Sequence, residues 1–124
     1  MPAEDRSWQV LIVEDDPLIG MMLRDMLVEL GCAPLGPAGS VAAALLLIAS
    51  SPHLDGAVLD CNLGAEDVWP VADRLTERNV PFVFATAYGR SQIEPRFLDI
   101  PVLPKPYPQA ALTRTLLPHL RNRA

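Results

Sequence analysis

Ala57-Val58-Leu59-Asp60-Cys61-Asn62-Leu63-Gly64 is the stretch on which the fold turns. Three apolar residues are closed by a carboxylate and followed by turn-forming Asn and Gly. An uninterrupted apolar run of this length is what a strand buried on both faces requires. Open α/β sheets place their chemistry in the crevice at the carboxyl ends of such strands, which is where Asp60 would stand.

Three further runs share that design. Val10 to Val13 leads into Glu14-Asp15-Asp16, Phe82 to Ala85 ends at Thr86, and Ile100 to Leu103 leads into Pro104-Lys105-Pro106. Cys32 to Pro37 reads as a short, weak second strand. Helical spacing fills the intervals. Asp16-Pro17 is an N-cap followed by a first-turn proline, and Gly31 a stop. Between them Leu18, Ile19, Met22, Leu23, Met26, Leu27 and Leu30 recur at helical period, and Met21, Met22 and Met26 are expected to fill the core. Ser40 caps a very apolar helix over 41–50 that must be largely covered. Val68, Val71, Ala72 and Leu75 mark one face of a third helix, with Pro70 tolerated in its first turn and Asn79 at its close. Gly89 and Pro95 interrupt the stretch from Gly89 to Asp99, which is predicted to be short or mobile. Leu112, Leu116 and Leu120 are in phase on a last helix over 109–120 whose end Pro118 should bend or fray.

Strands alternating with helices five times over imply a doubly wound, five-stranded parallel sheet with helices on both faces. The flanking prolines of the fifth strand suit a sheet edge. Glu14, Asp15, Asp60, Thr86 and Lys105 then all fall at carboxyl ends of strands.

Composition narrows the rest. A chain of 124 residues, half of them hydrophobic, is enough for one domain with one core, and 1–124 is read as a single domain. A formal net charge of −5 argues against nucleic-acid binding, which needs a basic face. No apolar stretch nears the roughly 18 residues that span a bilayer, and Met1 to Arg6, read as a loose lead-in, has no signal-peptide pattern. The chain is expected to be cytoplasmic, with Cys32 and Cys61 as reduced thiols. Nine of the ten cations are Arg, and Lys105 is the single Lys. A compact ammonium suits delivery of charge to a small anion better than a planar guanidinium fork does.

Five features in this order resemble the receiver domain of two-component response regulators. They are Glu14 and Asp15 after strand one, Asp60 after strand three, Thr86 after strand four, and Lys105-Pro106 after strand five. Phe82-Val83-Phe84-Ala85-Thr86-Ala87-Tyr88-Gly89 further resembles a subgroup common in alphaproteobacteria that carries Phe-Ala-Thr on strand four. The resemblance implies the flavodoxin-like (βα)5 fold. It implies that Asp60 accepts a phosphoryl group from a phosphohistidine on a sensor histidine kinase. It also implies Mg²⁺ bound by Asp15, Asp60 and the backbone carbonyl of Asn62, with Glu14 acting through water. Thr86 and Lys105 would hold the phosphoryl oxygens, and Lys105-Pro106 would be cis. Such a chain catalyses its own phosphorylation and dephosphorylation without being a turnover enzyme. Without an output domain before Ala124, it would signal through a kinase, a histidine phosphotransfer protein or a downstream regulator protein.

Two departures bear on switching. Val102 stands where most receivers carry a rotating aromatic, so Tyr88, two residues after Thr86, is preferred over Tyr107 as its substitute. Ala87 stands where the subgroup has Gly.

The residues support a cation independently of the resemblance. Like charges about 4 Å apart cost on the order of 4 kcal/mol per pair at an effective dielectric near 20. A single Lys does not offset three crowded carboxylates, so one must protonate or a divalent ion must sit among them. Hard oxygen donors with room left for water and phosphate suit Mg²⁺. Two other functions compete. An aspartate-nucleophile phosphatase would carry a second acid two residues after Asp60, where this chain has Asn62. A binding module independent of phosphorylation would bind its partner equally well after Asp60→Asn.

Overall fold

Residues 7–121 are described by the computed structural model, and the expected lead-in over Met1 to Arg6 lies outside them. In chain order the elements are β1 (Trp8–Val13), α1 (Pro17–Leu30), β2 (Cys32–Ala38), α2 (Val41–Ala49), β3 (Gly56–Asp60), β4 (Asn62–Leu63), β5 (Glu66–Asp67), α3 (Trp69–Glu77), β6 (Phe82–Thr86), β7 (Val102–Pro104) and α4 (Gln109–Arg121). The main sheet has the order β2-β1-β3-β6-β7, with every pairing parallel. This is the doubly wound sheet expected, with the fifth strand at an edge.

The unbroken apolar runs follow from burial on both faces. Leu11, Val13, Ala57, Leu59, Phe82 and Phe84 face a core shared with α2 and α3. Val10, Ile12, Val58, Val83 and Ala85 face the other core, shared with Leu23 and Leu27 of α1 and Leu112, Leu116 and Leu120 of α4. Since alternate strand residues point to opposite faces, neither set could be polar.

α1 begins and ends as its sequence implies. The Asp16 carboxylate accepts from the N–H groups of Leu18 and Ile19, and Gly31 closes the helix at φ 97°. The methionines differ from expectation. The buried line runs Gly20, Leu23, Leu27, and at about 100° per residue Met21 and Met22 turn away from it. They are 63% and 56% exposed, and only Met26 packs against the core. Gly20 sets this line, because a Cβ there would lie 2.7 Å from Pro37. α2 is likewise less covered than its composition requires: Ala44 and Ile48 are buried, whereas Leu46 is exposed.

Between β6 and β7 the chain forms two 3₁₀ turns, Gly89–Gln92 and Pro95–Phe97, where a regular doubly wound unit has a helix. Phe97 anchors the segment. Its ring stacks on Trp69 at 5.7 Å and meets Phe84 edge-on at the same distance. Arg96 lies over that ring and pairs with Asp73 of α3 at 2.7 Å.

Three smaller differences have local causes. The fifth strand starts at Val102, not Ile100, because the Ile100 N–H is used by the Phe97 carbonyl to finish the preceding turn. α4 runs on past Pro118 to Arg121 without the expected fraying, since Leu116 and Leu120, fully buried on either side of it, hold the last turn on the sheet. β4 and β5 form a two-rung antiparallel hairpin, Asn62 opposite Asp67 and Leu63 opposite Glu66, turned by Gly64 at φ 59°. No periodic signal marks this hairpin in the chain, because two-residue strands carry no period.

Candidate functional site

β1 and β3 are adjacent and in register, Val13 opposite Leu59, so the residues that follow them share one rim of the sheet. The Glu14 N–H donates to the Ala38 carbonyl at 2.9 Å, which continues the β1–β2 ladder by one residue and turns the Glu14 side chain into the rim. Glu14 and Asp60 are each 5% exposed, whereas Asp15 is open to solvent. One carboxylate oxygen from each of Glu14, Asp15 and Asp60 lies within 4.8 Å of the other two.

Lys105 reaches this cluster from β7. Its Nζ lies 3.2 Å from Glu14 Oε1 and 3.2 Å from Asp60 Oδ2. Its backbone N–H donates to the Thr86 carbonyl at 2.9 Å, which fixes the base of the side chain, and the Lys105-Pro106 bond is cis. The Asn62 N–H donates to Asp60 Oδ1 at 3.1 Å, so each oxygen of Asp60 has a partner. Thr86 is fully buried one residue beyond Ala85, the register partner of Asp60, and its Oγ accepts from the Tyr88 N–H at 3.0 Å. Glu14, Asp15, Asp60 and Lys105 are thus brought together, with Thr86 and the Asn62 backbone on their border.

The tyrosines separate. Tyr88 is 64% exposed. Tyr107 is half-buried, and its phenol is pushed up to about 12 by burial and by the charges of Glu14 and Asp60. Two further residues escaped the sequence, Gln92, which accepts from the Asn62 carboxamide, and Glu66, which accepts from the Val41 N–H at the start of α2. Both pairings span 25 residues or more, so local pattern could not have found them.

Burial is the main cause that pushes the Glu14 carboxyl up to about 7. Asp60 adds to it, and the Asp16 N–H and Lys105 act against it. For Lys105, burial acts to lower the ammonium, but Asp60 and Glu14 outweigh it and hold it above its ordinary value. The Cys61 thiol is pushed up to about 12 by burial and by Asp60, which leaves it protonated beside the site.

A stability prediction follows from Glu14. Its carboxyl holds a proton more tightly folded than unfolded, so the associated stability is full below about 4.5 and is lost as pH rises to about 7. The loss is on the order of 3 kcal/mol. In metal-free buffer, urea midpoints of the wild-type chain should fall across that window, and Glu14→Gln should remove the fall. Equal slopes in the two proteins would contradict it.

The chain has relatives among known proteins. No family model matches the chain. It is 30% identical over 121 residues to the phyllosphere-induced regulator PhyR of Methylorubrum extorquens, which aligns with 92% of this chain. The chain spans 44% of that relative's length. The receiver domain of the PhyR response regulator of Erythrobacter litoralis superposes with a TM-score of 0.81 at 26% identity, over 93% of this chain and 91% of that one. SdrG of Sphingomonas melonis Fr1 superposes with the same TM-score at 43% identity, over 93% of this chain and 97% of its own.

The chain is a response regulator receiver.

Receivers are signalling modules of two-component systems, and the acids and lysine of this one stand at the strand ends where the resemblance put them. SdrG has also been solved in a BeF3-activated conformation, which this receiver matches at 42% identity with a TM-score of 0.77 over 90% of its length and 95% of that chain. No described helix of the receiver is long and apolar enough to cross a membrane.

Proposed function

We propose that this receiver accepts a phosphoryl group on Asp60 from a phosphohistidine of a sensor histidine kinase, in a reaction that needs Mg²⁺. The observation that carries this reading is the contact of Lys105 Nζ with both Asp60 and Glu14 at 3.2 Å, within a cluster of three carboxylates. A lone cation held there gives an arriving phosphoryl group a counter-charge beside the nucleophile.

The donor set fits magnesium. All the side-chain groups offered are hard oxygens. Three carboxylates share one lysine, a shortage of positive charge that a divalent ion would make good. Asp15, Asp60 and the Asn62 carbonyl would hold the ion, with Glu14 acting through water. The exposed side of Asp15 leaves room for water and phosphate oxygens. Held by these residues, Mg²⁺ would supply charge that offsets the phosphoryl oxygens. The chain's own residues do the rest. Asp60 is aimed by the Asn62 N–H and by Lys105, and Thr86, fixed by its bond from Tyr88, borders the oxygens from the β6 side. The output is a changed surface or onward transfer to a histidine phosphotransfer protein. With Val102 in place of an aromatic, the segment from Gly89 to Asp99 is the element that responds.

Mass spectrometry after incubation with acetyl phosphate tests this. A gain of one phosphoryl group with Mg²⁺, and none with EDTA, is expected. No gain, together with no heat of Mg²⁺ binding in a calorimetric titration, would overturn it.

A further inference from the structure

The side chain of Asn62 is held by a residue far from it in sequence. Its Nδ2 donates to Gln92 Oε1 at 3.1 Å, while its backbone N–H donates to Asp60 Oδ1 at 3.1 Å. Asn62 follows β3 and Gln92 lies in the 3₁₀ turn after β6, and these strands are neighbours with Asp60 opposite Ala85. The carboxamide pair therefore bridges the two loops that flank the acceptor. Both side chains are exposed and line an open cleft with Cys61, Asp67, Trp69 and Ser91. Water thus reaches the bridge, and the bridge decides where the Asn62 carboxamide stands.

From this geometry we infer that Gln92 is a positioning residue that sets the lifetime of the phosphoryl group on Asp60 by pinning the Asn62 side chain. The inference rests on the phosphoryl-acceptor reading above. In hydrolysis, water oxygen bonds to phosphorus. The bond from phosphorus to the Asp60 oxygen breaks, and its electron pair stays on the carboxylate. A proton from the water is released to solvent, leaving free Asp60 and inorganic phosphate. A pinned carboxamide closes the gap between the loops to the attacking water, and a released one rotates and opens it. Gln92 touches neither phosphorus nor Asp60 and acts through Asn62 alone.

The test uses the whole chain, phosphorylated with acetyl phosphate and Mg²⁺, freed of donor, and followed by mass spectrometry as the phosphoryl group is lost. Gln92→Ala should lose it faster, by about three- to ten-fold for one hydrogen bond removed. Gln92→Glu keeps an accepting oxygen at the same reach and should keep the wild-type lifetime. In an Asn62→Ala background, adding Gln92→Ala should change nothing further, because the residue it positions is gone. Uptake with an unchanged lifetime in Gln92→Ala, or additive effects of the two substitutions, would overturn the inference while leaving Asp60 as the acceptor. A wild-type chain that takes up no phosphoryl group and gives no heat of Mg²⁺ binding would overturn both, and does so before any lifetime is measured.

Discussion

Asp60→Asn is expected to take up no phosphoryl group where the wild-type chain gains one. The carboxamide has nearly the shape of the carboxylate, so the Asn62 N–H still finds an acceptor oxygen and Lys105 still pairs with Glu14. What is lost is the nucleophile, since an amide oxygen is not one at neutral pH. The fold should survive and gain. Asp60 is among the causes that hold the Glu14 carboxyl up, so its neutral replacement lets that carboxyl fall and flattens the pH dependence of stability. Unfolding at pH 8 without metal should thus need the same urea or more. The combination of no uptake with full stability separates a missing acceptor from a damaged protein. A phosphoryl gain by the variant would move the acceptor elsewhere.

Lys105→Ala should cost both stability and uptake. Glu14 and Asp60 would face each other, each 5% exposed, without their shared cation. Removing one partner of a fully buried pair costs about 3–5 kcal/mol. Lys105 keeps some exposure and Glu14 can take a proton, so the loss at pH 8 is on the order of 2 kcal/mol. The sign with pH is fixed by the two groups. The Lys105 ammonium is held up in the fold, so its contribution is present at any pH below its ordinary value and lost only above it. Lys105 also holds the Glu14 carboxyl down, so the variant's Glu14 rises beyond about 7. The destabilisation should shrink toward pH 5, where Glu14 is protonated in both proteins. Uptake should fall by roughly a hundred-fold or more, the scale for removing one charge-stabilising donor. Lys105→Arg should recover most of the stability but little of the uptake, because a planar fork does not place its charge as an ammonium does. A stability loss equal at pH 5 and pH 8 would exclude the shared-cation account.

The legible and illegible parts of this chain divide along a physical line. Val10 to Val13, Ala57 to Leu59 and Phe82 to Ala85 announce themselves because each residue is buried on one face or the other. Once they are strands, Glu14, Asp60 and Thr86 have only one place to stand. Asp16 and Gly31 are legible because capping is a contact over three residues. Met21 and Met22 mislead because hydrophobicity gives the period of a helix but not which line meets the sheet, and a contact of Gly20 with Pro37 settles that. The hairpin after Asp60, the bond from Asn62 to Gln92 and the field of the acids on Tyr107 are relations between distant residues. They become visible only in three dimensions.

The pair of 3₁₀ turns before β7 has a consequence for inheritance of shape. An α-helix carries its own ladder of hydrogen bonds and keeps its form when its neighbours change. Two short turns have little such ladder, and this segment takes its form from what it leans on. Phe97 rests on Trp69, Arg96 on Asp73, and Gln92 on Asn62. All three supports belong to the crossover that follows β3. That crossover is the mould and the segment after β6 is its cast. A displacement of the chain just beyond Asp60 would therefore be copied onto the surface from Gly89 to Asp99, directly through Asn62 and by way of α3 through Trp69 and Asp73.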